Sequence, residues 1–87
     1  MSEEITAEEI NQHFSAMDDS VNLITNTIAD DAYALEMFGS AEEVNLMMKR
    51  NTDHLELQLD KDWAVADSRD KSSYTDAITA GLNYFNG

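Results

Sequence analysis

Residues 38–43 read Phe38-Gly39-Ser40-Ala41-Glu42-Glu43, and this stretch decides the fold. Glycine at a helix end supplies the left-handed residue that closes a C-terminus. Ser40 with Glu43 three residues on is a capping box, which opens a helix. A helix stop and a helix start therefore abut within two residues, the signature of an αα-hairpin.

Upstream, Thr6-Ala7-Glu8-Glu9 is another capping box, with Ile5 and Ile10 at the two positions of a hydrophobic staple. Glu8 and Glu9 also place anions at the positive end of the helix dipole. Ile10, Phe14, Met17, Val21, Ile24 and Ile28 then recur at steps of four and three, the seam of a coiled-coil-like helix. Asp30-Asp31 marks a break or a second cap. The short helix after it is expected to turn Tyr33, Met37 and Phe38 inward.

Downstream, one helix is expected over residues 41–66. At 100° per residue, Val44, Met48, Leu55, Leu59, Trp63 and Ala66 share a face. Leu46, Leu57 and Ala64 form a second apolar line nearly opposite. A surface helix needs only one such line, so the second is expected to meet another helix or a partner. Residues 67–73 read as a polar loop, with Ser72 or Ser73 capping a last helix and Ser73 with Asp76 as an imperfect capping box. That helix is expected to line its inner face with Tyr74, Ile78, Leu82 and Phe85, and Gly81 inside it to permit close helix contact.

The expected architecture is all-α: a small antiparallel bundle of three main helices plus a short linking helix. It forms one domain over residues 1–87, with helices at 7–29, 32–38, 41–66 and 74–85 and no β-sheet. The absence of proline and the presence of only three glycines agree with long helices.

Composition limits function. The 87 residues carry 18 Asp and Glu against 5 Lys and Arg, for a formal charge of −13. Such a chain repels nucleic-acid phosphates, so no direct nucleic-acid binding is expected. There is no cysteine for a disulfide framework or a thiolate zinc site. Met1-Ser2-Glu3-Glu4 lacks the basic and apolar segments of a leader, and no apolar run is long enough for a membrane span. The expected location is soluble and intracellular, in a host cytoplasm or within a virion.

Catalytic motifs are missing, so no enzyme activity and no cofactor are expected. His13 and His54 lie on different helices and read as structural. Glu9 with His13 gives two potential ligands at a one-turn spacing, too few for a metal site. Asp60-Lys61-Asp62 begins like a calcium loop but lacks its glycine and its later carboxylate. Asn51 and Asp62 fall in the apolar sector of the long helix. Asn51 there suits a register-fixing role, and Asp62 is expected to find Arg69 or Lys71.

The charge is unevenly placed. Residues 1–48 hold 11 acids and no Lys or Arg, a net of −11; residues 49–87 hold 7 acids and 5 bases, a net of −2. Asp53, Glu56, Asp60 and Asp67 share a narrow sector of the long helix. The plain reading is a solvated face, relieved by Lys49 and Arg50. The sharper one is a surface for a basic protein.

Arg50-Asn51-Thr52-Asp53-His54-Leu55-Glu56-Leu57-Gln58-Leu59 with Asp62-Trp63, and Ser73-Tyr74-Thr75-Asp76-Ala77-Ile78-Thr79-Ala80-Gly81, resemble small acidic helical proteins encoded by tailed phages of marine bacteria. The resemblance implies a phage origin and an accessory role in the particle, and it transfers no site residues.

The expected function is a non-enzymatic protein–protein interaction module that self-associates, with a phage structural or assembly role as its setting. Its expected contact residues are Leu46, Leu57, Ala64, Asp53, Glu56 and Asp60. The alternative is an acidic DNA mimic that blocks a nucleic-acid-binding host protein.

Overall fold

Thr6 and Glu9 do what their spacing implies. The Thr6 hydroxyl accepts the Glu9 backbone N–H at 3.1 Å, and the Glu9 carboxylate accepts the Thr6 N–H at 3.1 Å. This cap holds the Glu9 carboxyl below its ordinary range. The computed structural model describes residues 5–86, with side chains through Phe85. Met1–Glu4, where the reading of a missing leader falls, lies outside them.

Five helices follow: α1 (Ala7–Ala29), α2 (Asp31–Phe38), α3 (Ala41–Leu59), α4 (Asp62–Ala66) and α5 (Ser72–Asn86). No strand occurs among the described residues. Asp30 caps α2 by accepting the Tyr33 N–H at 3.0 Å. Gly39 sits at φ +94°, and Ser40 accepts the Glu43 N–H at 3.2 Å to start α3. Residues 38–43 thus stop one helix and start the next by the capping chemistry their sequence carries.

α1, α3 and α5 pack against one another around Phe14, Met17, Ile24, Val44, Met48, Leu55 and Tyr74. Phe14 of α1 meets Trp63 just beyond α3, while Ser20 reaches His54 within it, so the two helices run antiparallel. The body is elongated, 47 × 21 × 16 Å.

Four expectations about which side chains face inward are corrected. First, α1 buries Thr27 and leaves Ile28 44% exposed. Thr27 lies on the side of α1 onto which α2 folds back, where it lines one cleft with Ala34 and Phe38. Second, α2 buries Ala34 and half-buries Phe38, while Tyr33 and Met37 lie outside.

Third, the helix expected over 41–66 is broken. Asp60 ends α3, Lys61 is extended at φ −69°, ψ 147°, and α4 starts afresh. Had α3 continued, Ala64 would share the outer line with Leu46. The break turns Ala64 fully into the core and sets Trp63 against Phe14, while Ala66 is exposed. Fourth, α5 turns Tyr74, Ala77 and Gly81 inward, with Tyr84 partly buried, and leaves Leu82 and Phe85 44% exposed. Gly81 explains the rotation. A Cβ at that position would lie 2.1 Å from Thr52 Oγ1, so only glycine lets α5 approach α3 this closely.

Thr52 is 1% exposed, and its hydroxyl has no hydrogen-bond partner among the described residues. An unpaired buried hydroxyl is destabilising. Thr52→Val, which removes the unpaired hydroxyl, is expected to raise stability by about 1 kcal/mol in chemical denaturation; a loss of stability would show that the hydroxyl is satisfied or that the larger methyl crowds Gly81.

Candidate functional site

The outer face of α3 is the surface the sequence singles out. Its inner face carries Val44, Met47, Met48, Thr52 and Leu55, all buried. At 100° per residue, Leu46, Arg50, Asp53 and Leu57 fall on the opposite side, at steps of four, three and four. Leu46 is 41% and Leu57 58% exposed, so no described part of the chain fully covers either. Lys49 donates to the Asp53 carboxylate at 3.0 Å along this face. Both groups are exposed, and such a one-turn pair stabilises the helix only slightly.

Of the six expected contact residues, five lie together. Asp53, Glu56, Leu57 and Asp60 line one open depression, and Leu46 stands three turns away from Leu57 on the same ridge. Ala64 does not join them, because the break at residues 60–61 buries it. Leu82 and Phe85 of α5 border the ridge, lining a groove with Lys49, Thr52 and Asp53. The periodicity of residues 74–85 alone places these two inside. The signal that could have moved them out was Gly81, which marks the line of closest approach.

A second apolar groove leaves no mark in the periodicity of the sequence. Leu23, Thr27, Tyr33, Ala34, Met37 and Phe38 line a cleft of about 160 Å³ between the end of α1 and α2. It exists because an eight-residue helix can bury only one narrow side, here Ala34 and Phe38.

The remaining polar and aromatic groups form a lock at the other end of the bundle. Arg69 donates to both Asp67 carboxylate oxygens, at 2.7 and 3.2 Å, and to Asn11 Oδ1 at 2.8 Å. Its guanidinium lies 4.0 Å above the centre of the Phe14 ring. The Arg69 contacts hold the Asp67 carboxyl below its usual range. Lys71 donates to the Asp67 carbonyl. Both loop cations thus serve Asp67, and the expected pairing with Asp62, which is exposed, does not occur. Asp70 accepts the Ser72 N–H at 2.9 Å and opens α5, in place of a Ser73–Asp76 box.

Both histidines are packed. His13 stacks on Trp63 at 4.8 Å, and His54 Nδ1 lies 2.9 Å from the Ser20 hydroxyl. Asn51 donates to the Met47 carbonyl at 2.8 Å, one turn back on its own helix. Among the described residues no three His, Asp or Glu side chains converge as metal ligands, and no helix is long and apolar enough to cross a membrane.

The lock carries a pH dependence. Tyr74, 5% exposed, donates to Asp18 at 2.7 Å. Burial first, and then this bond to a carboxylate, push the Tyr74 hydroxyl up from 10.0 to about 12. The folded state therefore holds the proton more tightly than the unfolded chain. Its stabilisation is complete below pH 10 and is lost as pH rises toward 12. Denaturant midpoints measured across this window are expected to fall, and Tyr74→Phe to flatten that fall.

Comparison with protein-family models, with curated proteins and with solved structures finds no match to this chain. Among the described residues the protein is all-helical, with five helices packed together.

Proposed function

We propose that this protein is a non-enzymatic protein–protein interaction module that associates with itself. One observation carries this reading: Leu46 and Leu57 stand uncovered on the outer ridge of α3. They lie on one line of the helix surface opposite its buried face, a second apolar line that a partner helix can cover. Leu82 and Phe85 extend the apolar surface beside it. A place among the structural or assembly components of a phage particle is the setting that the resemblance of residues 50–81 suggests.

The test is mass against concentration and salt. Light scattering is expected to show a mass rising above the 9.8 kDa of one chain as concentration increases. Raising salt from about 50 to about 500 mM should favour the association or leave it standing, because screening of the repulsion between chains of charge −13 offsets screening inside the contact. A mass that stays at one chain at high micromolar concentration overturns the proposal.

A second reading has its own observation. Every described acid of residues 1–48 is exposed, and neither of the two ion pairs among the described residues involves that half. Such a surface suits an acidic decoy that occupies the DNA site of a basic host protein. Its binding would weaken with salt, unlike self-association. Displacement of duplex DNA from a basic DNA-binding protein by this chain would favour the decoy, and failure to displace it at low salt would exclude that activity toward the protein used.

A further inference from the structure

We infer that the second copy docks antiparallel on α3, ridge against ridge, with Leu46 of each chain facing Leu57 of the other. This rests on the self-association proposed above and specifies its geometry.

Leu46, Arg50, Asp53 and Leu57 follow the four-three-four spacing of a coiled-coil seam. The ridge is also self-complementary. Turned end for end about its midpoint, between Asn51 and Thr52, it places Leu46 on Leu57 and Arg50 on Asp53. A two-fold axis repeats both contacts, giving two leucine layers outside two reciprocal ion pairs. Along one flank, Lys49 of each chain falls beside Glu56 of the other.

A parallel pairing fails on the same residues. It would set Arg50 against Arg50 and Asp53 against Asp53, like charges at the centre of the contact.

Charge explains why this face suits a second copy of so acidic a chain. Between Leu46 and Leu57, Lys49 and Arg50 offset Asp53 and Glu56, a net of zero on a protein of −13. The groove between α1 and α2 is as apolar, but it lies in the half of the chain that has no Lys or Arg. Two copies meeting there would bring their uncompensated acids together. The ends of the α3 pairing do carry a cost, since Glu43 would approach Asp60 of the second copy. Both are exposed at the rim, where water and salt screen them. With so few residues on each side, the contact is small and the dimer weak.

The absence of native cysteine makes the geometry directly readable. Leu46→Cys and Leu57→Cys are surface changes on an intact core. Under mild oxidation a mixture of the two variants is expected to form mixed disulfide dimers at least about tenfold faster than either alone, because only the mixed pair is held together. Leu46 and Leu57 are roughly 16 Å apart along the helix, too far for a homodimer of either variant to cross-link across the axis.

A charge exchange checks the centre. Arg50→Asp and Asp53→Arg should each weaken self-association by about tenfold or more, and mixing the two should restore a heterodimer. Rapid cross-linking of each cysteine variant with itself would overturn the antiparallel register while leaving self-association standing. A dimer that cross-links in neither way would place the contact on another face and overturn the inference. A monomer throughout would overturn both the inference and the function it rests on.

Discussion

Replacing Phe14 by alanine is expected to cost about 4 kcal/mol, enough to unfold much of so small a domain. Phe14 is 1% exposed and sits where three segments meet. Trp63 packs edge-on at 5.5 Å, Tyr74 lies tilted at 5.5 Å, and the Arg69 guanidinium covers the ring at 4.0 Å. Removing the ring opens a cavity and strips the loop of its platform. Phe14→Leu fills most of the volume but loses the aromatic and cation contacts, so a loss of about 1–2 kcal/mol is expected. Denaturation followed by the fluorescence of Trp63, the sole tryptophan, checks both variants. Equal stability of wild type and Phe14→Ala would show that this end does not anchor the fold.

The second large effect runs against helix propensity. Exchanging an interior helical glycine for alanine ordinarily adds about 1 kcal/mol of stability. At Gly81 the change is expected to destabilise by about 2–3 kcal/mol instead. The added Cβ would lie 2.1 Å from Thr52 Oγ1 and 3.2 Å from Thr52 Cβ, so α5 must move away from α3. Thr52→Ala removes the hydroxyl and methyl and should recover most of the loss. The double variant is therefore expected to exceed Gly81→Ala alone in denaturant midpoint, a favourable coupling that two independent sites would not show. Stabilisation by Gly81→Ala would mean that the two helices are not in this close contact.

These two positions show how unevenly the chain can be read before it folds. Gly81 is legible as a close-approach residue, because glycine inside a helix is otherwise a cost. What it approaches is not legible, since Thr52 is one of several residues on the inner side of α3. Phe14 is legible as a seam residue from its spacing to Ile10 and Met17. Its contacts with Arg69 and Tyr74 span more than fifty residues of sequence and leave no local pattern.

The contact ridge divides in the same way. The second apolar line of Leu46 and Leu57 follows from helical periodicity alone, and the structure leaves both side chains uncovered. Ala64 belongs to that line only if the helix continues. The chain breaks instead at Asp60 and Lys61, which carry neither Gly nor Pro to announce it. The break is set by packing: it delivers Ala64 to the core and Trp63 to Phe14.

The helical class, the αα-hairpin at residues 38–43, the inner face of α3 and the concentration of negative charge in residues 1–48 can all be read without the fold. Those features rest on local chemistry: caps within four residues, periodicity along one helix, and counts of charge. Where α3 ends, which side of α2 and α5 faces out, and which groups the loop cations serve emerge only on packing. Those outcomes depend on how closely the helices approach, as at Gly81 and Thr52. They also depend on contacts such as Arg69 with Asn11 and Tyr74 with Asp18, which join residues remote in the chain. Local propensity has no access to those distances, and packing overrides it wherever the two disagree.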